Sequence, residues 1–344
     1  MKQSHTITFQ PSGVRIQCPP DQSIAEAALE QGVIVPVSCE NGVCQICQAE
    51  RLSGDFNFRN ELGETILEHD NQVLCCVAYP QSDAEISMSD VFAPYHKPEL
   101  TLACQVAGVM PLPGSVYRVE LLAPAGKKVD FWPGQYLMLE VETREGKQQL
   151  PYSIACAPGT DDDNRRIELH IAANGETADD VIRYLQQAVI VRVTLPFGDC
   201  FIQPDFVRQH SAEPVLMVAA GSGFSQIKSL IEGYLRWNPQ QEIHLYWSNK
   251  ASDAFYLSEQ PLAWAEAFAN FHYHPIIEQH SDGWHGRAGW IYQVIHEDFT
   301  DLSQIQMFAC GSPNMVYSTL DQLEPLGLSQ NNMHSDVFAY APRG

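Results

Sequence analysis

Residues 38–47 read SCENGVCQIC, three cysteines separated by four residues and then by two. Further along, residues 71–80 read NQVLCCVAYP and add Cys75 and Cys76 side by side. A thiolate sulfur is soft and charged, which suits iron, and C-x4-C-x2-C followed by a distant cysteine is the spacing of a [2Fe–2S] site. Cys39, Cys44 and Cys47 fit that pattern without adjustment. Gly42 lies inside the loop, where the backbone must curl tightly. Zinc is the rival metal, but its paired short knuckles are absent. Spacing alone leaves Cys75 and Cys76 equal candidates for the fourth ligand.

Composition agrees with such a site. The chain has 344 residues, 45% hydrophobic and 18% charged, a globular composition for two or three domains. It contains no apolar run of membrane-spanning length. The opening MKQSHTITFQ lacks a signal-peptide core, so the expected location is the cytoplasm, where thiols stay reduced. The ten cysteines therefore point to metal or catalysis before disulfides. A net charge of −22 argues against a nucleic-acid partner, whose phosphates need Lys and Arg.

Three rhythms follow one another. HTITFQ and GVRIQC alternate like paired strands. SIAEAALEQG reads as a helix with a Ser23–Glu26 capping box and a stop at Gly32. FAPYHKPEL (92–100) reads as a linker. Strand patterns dominate residues 100–210, with one helical stretch, TADDVIRYLQQ, which suggests an antiparallel barrel. From residue 211, buried-strand runs such as PVLMVAAG alternate with helices such as FSQIKSLIEGYLRW, which means a parallel α/β sheet.

The first segment resembles a plant-type ferredoxin domain of the β-grasp fold. In that family the fourth ligand lies in an L-T-C-x-x-x-P stretch. Laid on LCCVAYP, the resemblance implies Cys76 as the ligand, with Cys75 in the Thr position as a packed neighbour. Residues 1–95 carry 13 acidic and 4 basic side chains. That excess is either an ordinary solvated surface or a docking face for a basic partner.

FWPGQYLMLEV and LPYSIACAP resemble signature strands of the ferredoxin–NADP reductase superfamily, whose Arg-x-Tyr-Ser motif lies along the flavin. The resemblance implies that Tyr152 packs on the isoalloxazine and that Ser153 hydrogen-bonds near N5, where hydride arrives. The family's Arg falls on Leu150, which supplies no charged contact to phosphate. A second phosphate motif is approximated by Gly175 and Thr177 in GETADD, with Asp179 and Asp180 placed to repel an anion. FAD is therefore expected, but held more weakly than is usual in the family.

In AAGSGFSQIKS, Gly221 and Gly223 open a helix whose N-terminus suits phosphate, although the third glycine of a dinucleotide fingerprint is missing. The superfamily resemblance implies a similar Gly-x-Gly-Phe nucleotide turn at Gly221, Gly223 and Phe224. It also implies a Cys-Gly-x-Pro stretch near the nicotinamide at Cys310, Gly311 and Pro313. From the sequence alone, Cys310 is equally a small residue closing a buried strand. Among relatives, an aromatic near the C-terminus shields the flavin, and Phe338 is the matching candidate. The strand-like IHLYWSNK and HSDVFAYAP carry much of a further resemblance to bacterial NAD(P)H–flavin reductases and CDP-6-deoxyglucoseen reductases. Lys250 has no accompanying arginines to read a 2′-phosphate, which favours NADH over NADPH. His272, His274, His280 and His285 lack the spacing of a metal site and read as packed or surface residues.

The expected fold is multidomain: a β-grasp ferredoxin domain (1–93), an antiparallel flavin barrel (100–210) and a parallel α/β nucleotide domain (211–344). The resemblance implies an NADH-dependent iron–sulfur flavoprotein reductase with Ser153 and Cys310 as catalytic residues. Its cluster, near ~−400 mV in this class, would pass electrons to a protein acceptor docking at the ferredoxin domain. That acceptor is an oxygenase or a deoxysugar dehydratase. The alternative is an NAD(P)H–flavin or quinone reductase that uses loosely bound flavin as a substrate.

Overall fold

The computed structural model describes residues 4–59, 71–159, 164–280 and 282–343. The chain divides into two compact units, Met1–His96 and Lys97–Gly344, with the break inside the FAPYHKPEL segment.

The first unit contains β1 (His5–Gln10), β2 (Arg15–Cys18), α1 (Ile24–Glu30), β3 (Gln48–Ser53), β4 (Phe56–Phe58), β5 (Gln72–Leu74), β6 (Ala78–Pro80) and β7 (Ala84–Ser87). Five strands form one sheet in the order β2-β1-β7-β3-β5, with β1 and β7 parallel. Alternation puts Ile7, Phe9, Ile16 and Ile86 on the buried face. Across that face lie Ile24, Ala27 and Ala28 of α1. At about 1.5–3 kcal/mol for each large apolar side chain, these positions supply the main driving force for this small unit. The helix starts where the capping box puts it. Ser23 Oγ accepts from Glu26 N–H at 3.2 Å, and Ser23 N–H donates to Glu26 at 2.8 Å.

The second unit opens with β8 (Leu100–Leu112), β9 (Val116–Leu122), β10 (Tyr136–Thr143), β11 (Gly146–Ser153), β12 (Arg166–Ala172), α2 (Glu176–Gln187) and β13 (Ile190–Phe197). The strands form a curled antiparallel sheet in the order β11-β10-β13-β8-β9-β12. Its two edges approach each other at an Ile154–Leu169 bridge. After α3 (Pro204–Gln209) come β14 (Val215–Ala220), α4 (Phe224–Trp237), β15 (Ile243–Asn249), α5 (Glu259–Ala267), β16 (Phe271–Ile277) and β17 (Arg287–Ala288). The chain ends with α6 (Ile291–Asp298), β18 (Gln306–Cys310), α7 (Pro313–Leu323), β19 (Met333–His334) and α8 (Val337–Tyr340). These strands build an all-parallel sheet in the order β17-β16-β15-β14-β18-β19. β14 is central and buried on both faces, which is why VLMVAA is apolar throughout. Strand order reverses between β14 and β18, and the crevice beyond their carboxyl ends is where such sheets bind ligands.

One sequence expectation changes here. HSDVFAYAP is not a strand: only its first residue, His334, belongs to β19, and Val337–Tyr340 turns into a short helix. The curled sheet and the parallel sheet lie in one compact unit, where helix α4 binds the barrel backbone along its length. Gln226 donates to Gly134 O at 2.6 Å, Lys228 to Ala155 O at 2.8 Å and Ser229 to Cys156 O at 2.8 Å. Glu232 accepts from Ala157 N–H at 2.9 Å.

Candidate cluster loop and cofactor cleft

The cysteine loop between α1 and β3 has an unusual backbone. Glu40, Gly42 and Gln45 all take positive φ, at 58°, 79° and 61°. Left-handed residues of this kind turn successive N–H groups toward one concavity, which favours negative charge. The Cys44 N–H donates to Cys39 Sγ at 3.3 Å. Hydrogen bonds from the backbone of Asn41 and Cys44 hold the Cys39 thiol down to about 6. A thiolate is thus favoured before any metal arrives. From the other side, Cys76 Sγ lies 3.2 Å from Cys47 Sγ. Both are buried, while Cys44 is exposed and Cys39 half-buried. Burial, with the Cys47 thiol alongside, raises Cys76 to about 12. Cys75 points elsewhere. It is fully buried against Met88, 3.9 Å from that sulfur, and burial pushes its thiol up. The donor set therefore suits a cluster: four sulfurs of one small region, with N–H groups aimed at one of them.

In the second unit, a cleft of about 420 Å³ is lined by Tyr136, Tyr152 and Ser153 from the barrel. Gln226 of α4 and Cys310 and Gly311 at the end of β18 also line it, with Asp336 and Tyr340 from the C-terminal segment. Two sequence-separated motifs, Tyr152–Ser153 and Cys310–Gly311, thus face one space. Burial raises the Cys310 thiol to about 12, so it stays protonated at neutral pH. Gly223 is fixed by the same crowding, because a Cβ there would collide with the Cys310 carbonyl. Gly221, with φ +55°, accepts a hydrogen bond from Trp247 Nε1 at 3.0 Å.

Other candidates fall outside this cleft. Gly175 caps α2 without a side chain, and Thr177 is exposed in its first turn. Of the two aspartates expected to repel an anion there, Asp180 has its carboxylate engaged by arginines. Arg144 Nε lies at 3.0 Å and Arg183 at 2.8 Å. Pro313 opens α7 behind the Ser312 cap, beside a second cleft lined by Ala220, Ser248, Glu278 and Ser312. Phe224 offers its ring to no ligand. It is fully buried and stacked on Trp247 at 3.9 Å. Phe338 does not line the cleft. Its ring packs against Tyr317, and Tyr340 is the C-terminal aromatic that does line it. The helical turn of α8 is responsible: residues two apart share a face on a strand and not on a helix.

Sequence reasoning missed Asp336, Gln226 and a buried charged knot between β12 and α4. Asp336 accepts from the N–H groups of Asp199 and Cys200, both at 3.1 Å, and from Gln226 at 2.7 Å. Burial still raises its carboxyl. Between β12 and α4, buried Glu168 meets His170 at 2.9 Å and Lys228 at 3.3 Å, and Lys228 also meets Glu232 at 2.7 Å. Burial alone would raise Glu168, but the His170 hydrogen bond and the Lys228 charge outweigh it and hold it down to about 2. No local motif marks such a knot, because its members come from β12 and α4.

Two family models match: the 2Fe-2S iron-sulfur cluster binding domain over residues 7–81 and the oxidoreductase NAD-binding domain over residues 217–321. Protein RfbI of Salmonella typhimurium is 30% identical over 97% of both chains. The CDP-6-deoxy-L-threo-D-glycero-4-hexulose-3-dehydrase reductase of Yersinia pestis is 28% identical over 97% of this chain and 98% of its own. Reductase component 1 of terephthalate 1,2-dioxygenase from Comamonas sp. is 28% identical over 99% of both. Among solved structures, the Amycolatopsis cytochrome P450 reductase GcoB shares the fold at TM-score 0.65 and 24% identity, covering 96% of this chain and 98% of that one. Cysteine loop, shared cleft and end-to-end similarity lead to one conclusion: the chain belongs to the iron–sulfur flavoprotein reductases, ferredoxin–NAD(P)H reductase superfamily proteins with an N-terminal plant-type [2Fe–2S] domain.

Proposed function

We propose that this reductase takes electrons in pairs from NADH and hands them singly to a separate protein. When bound, nicotinamide, flavin and cluster supply that conversion. The observation that carries the proposal is the shared cleft, where barrel residues Tyr152 and Ser153 face Cys310 and Gly311 of the parallel sheet. Tyr152 offers a ring and Ser153 a hydroxyl to a flavin. Cys310 presents a neutral thiol beside the nicotinamide path, and Tyr340 covers the cleft mouth. Gly175 and Thr177, at the uncapped start of α2, are assigned to flavin phosphate. Gly221, Gly223 and Pro313 are assigned to the nicotinamide nucleotide. Cys39, Cys44, Cys47 and Cys76 hold the cluster. The working domains are residues 1–93, 100–210 and 211–344.

NADH is favoured over NADPH because the second cleft presents the Glu278 carboxylate, which repels a 2′-phosphate. Docking of the acceptor is assigned to the first unit, where Val43 and Ile46 of the cysteine loop are 77% and 53% exposed. The acidic surface adds long-range attraction for a basic partner. Four of its acidic residues, Glu61, Glu64, Glu68 and Asp70, lie outside the described residues. The relatives' names support a deoxysugar dehydrase or an oxygenase component as acceptor. No helix of the described residues is long and apolar enough to cross a membrane, and all ten cysteines are free, in keeping with a reducing cytoplasm.

The test is NADH-dependent cytochrome c reduction by the reconstituted protein and its Cys44→Ser variant. Loss of that activity in the variant supports transfer through the cluster. Leu150 favours a second reading, a flavin reductase using free flavin as substrate. Free-FMN reduction that carries all the NADH turnover, untouched by Cys44→Ser, would establish that reading instead.

A further inference from the structure

Of the histidines that lacked metal spacing in sequence, His272 acquires it in the fold, through a neighbour the sequence did not single out, His244. Parallel pairing of β15 and β16 sets His244 opposite His272 and Tyr246 opposite His274. Glu242 and His244, two residues apart, project on the same side. As a result, one ligand atom each from Glu242, His244 and His272 lies within 4.8 Å of the other two. His244 Nε2 is 3.1 Å from Glu242 Oε1, and the His244 and His272 rings are centred 4.5 Å apart. Glu242 is exposed and both histidines are partly buried, so the cluster opens to solvent on one side. We infer that Glu242, His244 and His272 form a binding site for a divalent transition metal, of which zinc is the test case.

The chemistry of the set fits. Two imidazoles and one carboxylate are a common three-ligand zinc set, with water completing the tetrahedron. Imidazole donors favour zinc, copper and nickel over magnesium or calcium. Outer partners are already in place. His244 Nδ1 lies 3.3 Å from His274 Nε2, and His274 Nδ1 lies 4.0 Å from Asp298 Oδ2. With metal on His244 Nε2, its Nδ1–H donates to His274, whose own Nδ1–H then faces the Asp298 carboxylate. Such outer hydrogen bonds fix the tautomer and orientation of a ligating imidazole. Asp298 is itself held by Tyr246 at 2.8 Å and by Arg287. The site lies at the amino ends of β15 and β16, whereas the clefts lie at the carboxyl ends of the sheet. A metal here pins two strands together without competing for nucleotide.

The test uses the full chain with its cluster loaded, so that the four cluster cysteines are occupied. Equilibrium dialysis against micromolar zinc chloride, with zinc and iron both quantified, reads the site directly. The expected result is one zinc per chain. Affinity should fall at least about tenfold in Glu242→Gln and in His272→Asn, and less in Asp298→Asn. Iron content and NADH oxidation should stay at the wild-type level. Glu242→Gln alters only an exposed side chain, so its loss of zinc is not a folding effect. Wild-type protein that takes up no zinc, or variants that take up as much as wild type, would overturn the inference.

Discussion

The cysteine loop and the cofactor cleft present two ways of building a redox site. In the loop, three of the four assigned sulfurs come from nine consecutive residues, and the backbone supplies the polar environment. In the cleft, side chains from Tyr136 to Tyr340 converge, and every one depends on long-range packing. A site built from one loop is written in its spacing and tolerates changes elsewhere. A site assembled from distant elements is written nowhere locally and inherits every weakness of the scaffold behind it.

The sharpest way to break this comparison is within the loop's distant partner. Cys76→Ser should abolish the visible spectrum and iron content of the reconstituted protein, while Cys75→Ser should keep both. Cys75 is buried against Met88, so its serine variant loses some packing but no ligand. A cluster that survives Cys76→Ser and disappears in Cys75→Ser would reverse the ligand assignment.

The next effect belongs to the scaffold of the cleft. Glu168→Gln leaves Lys228 with Glu232 as its remaining anionic partner and His170 with a neutral one, and should cost about 3 kcal/mol of stability in the second unit, the worth of holding Glu168 from 4.5 down to about 2. Guanidinium unfolding followed by tryptophan fluorescence measures it. The pH dependence has a definite sign. Glu168 is held down to about 2 in the folded chain, so its contribution is complete above the ordinary carboxyl value of 4.5. It fades as pH falls from there toward 2. The variant should lack that part of the acid destabilisation. Identical acid curves for the two proteins would mean that the knot contributes nothing through Glu168.

Smaller again is a change within the cleft itself. Ser153→Ala should slow reduction of bound flavin by NADH by about 10²-fold in single-turnover absorbance traces, the usual cost of one lost donor at a developing charge. Unfolding midpoints should not move, because the Ser153 side chain faces open space. An unchanged rate would remove Ser153 from the chemistry and leave it as lining.

Legibility followed the same division. Ser23–Glu26, most of the strand runs and the three loop cysteines are local patterns, and the Ser23 cap and the β1, β2 and β14 strands lie where those patterns put them. Choosing between Cys75 and Cys76 needed a family resemblance, because adjacent residues differ only in the direction their side chains take. Phe338 and Tyr340 were exchanged because HSDVFAYAP alternates like a strand, yet its end closes into a helical turn. Asp336 and Glu168 were invisible for a different reason. A buried carboxylate is costly unless partnered, and its partners, Gln226 in one case and Lys228 in the other, lie far away in sequence. Glu242 and His272 likewise become neighbours only through the β15–β16 register.

Leu150 is where the comparison is finest, because a local reading and a packing reading both apply to it. Locally it stands in the position of a phosphate-gripping arginine, two residues before Tyr152 and therefore on the same face of β11. In the fold, both Leu150 and Tyr152 pack against the barrel core. The two facts predict opposite effects for Leu150→Arg. A guanidinium beside the flavin phosphates should tighten FAD about tenfold, since a charged hydrogen bond contributes about 1.5–3 kcal/mol and part of that is lost in ordering the side chain. Withdrawing a leucine from the barrel should meanwhile cost about 1 kcal/mol of stability, with the arginine stem recovering some of the contact. Dialysis of the FAD-loaded proteins, with flavin read by absorbance, separates the two effects from an unfolding curve on the same samples. Wild-type protein that keeps stoichiometric FAD through extensive dialysis would show that the barrel holds flavin without the missing charge. The uncapped N–H groups at Gly175 and Thr177 would then be its principal anion contacts.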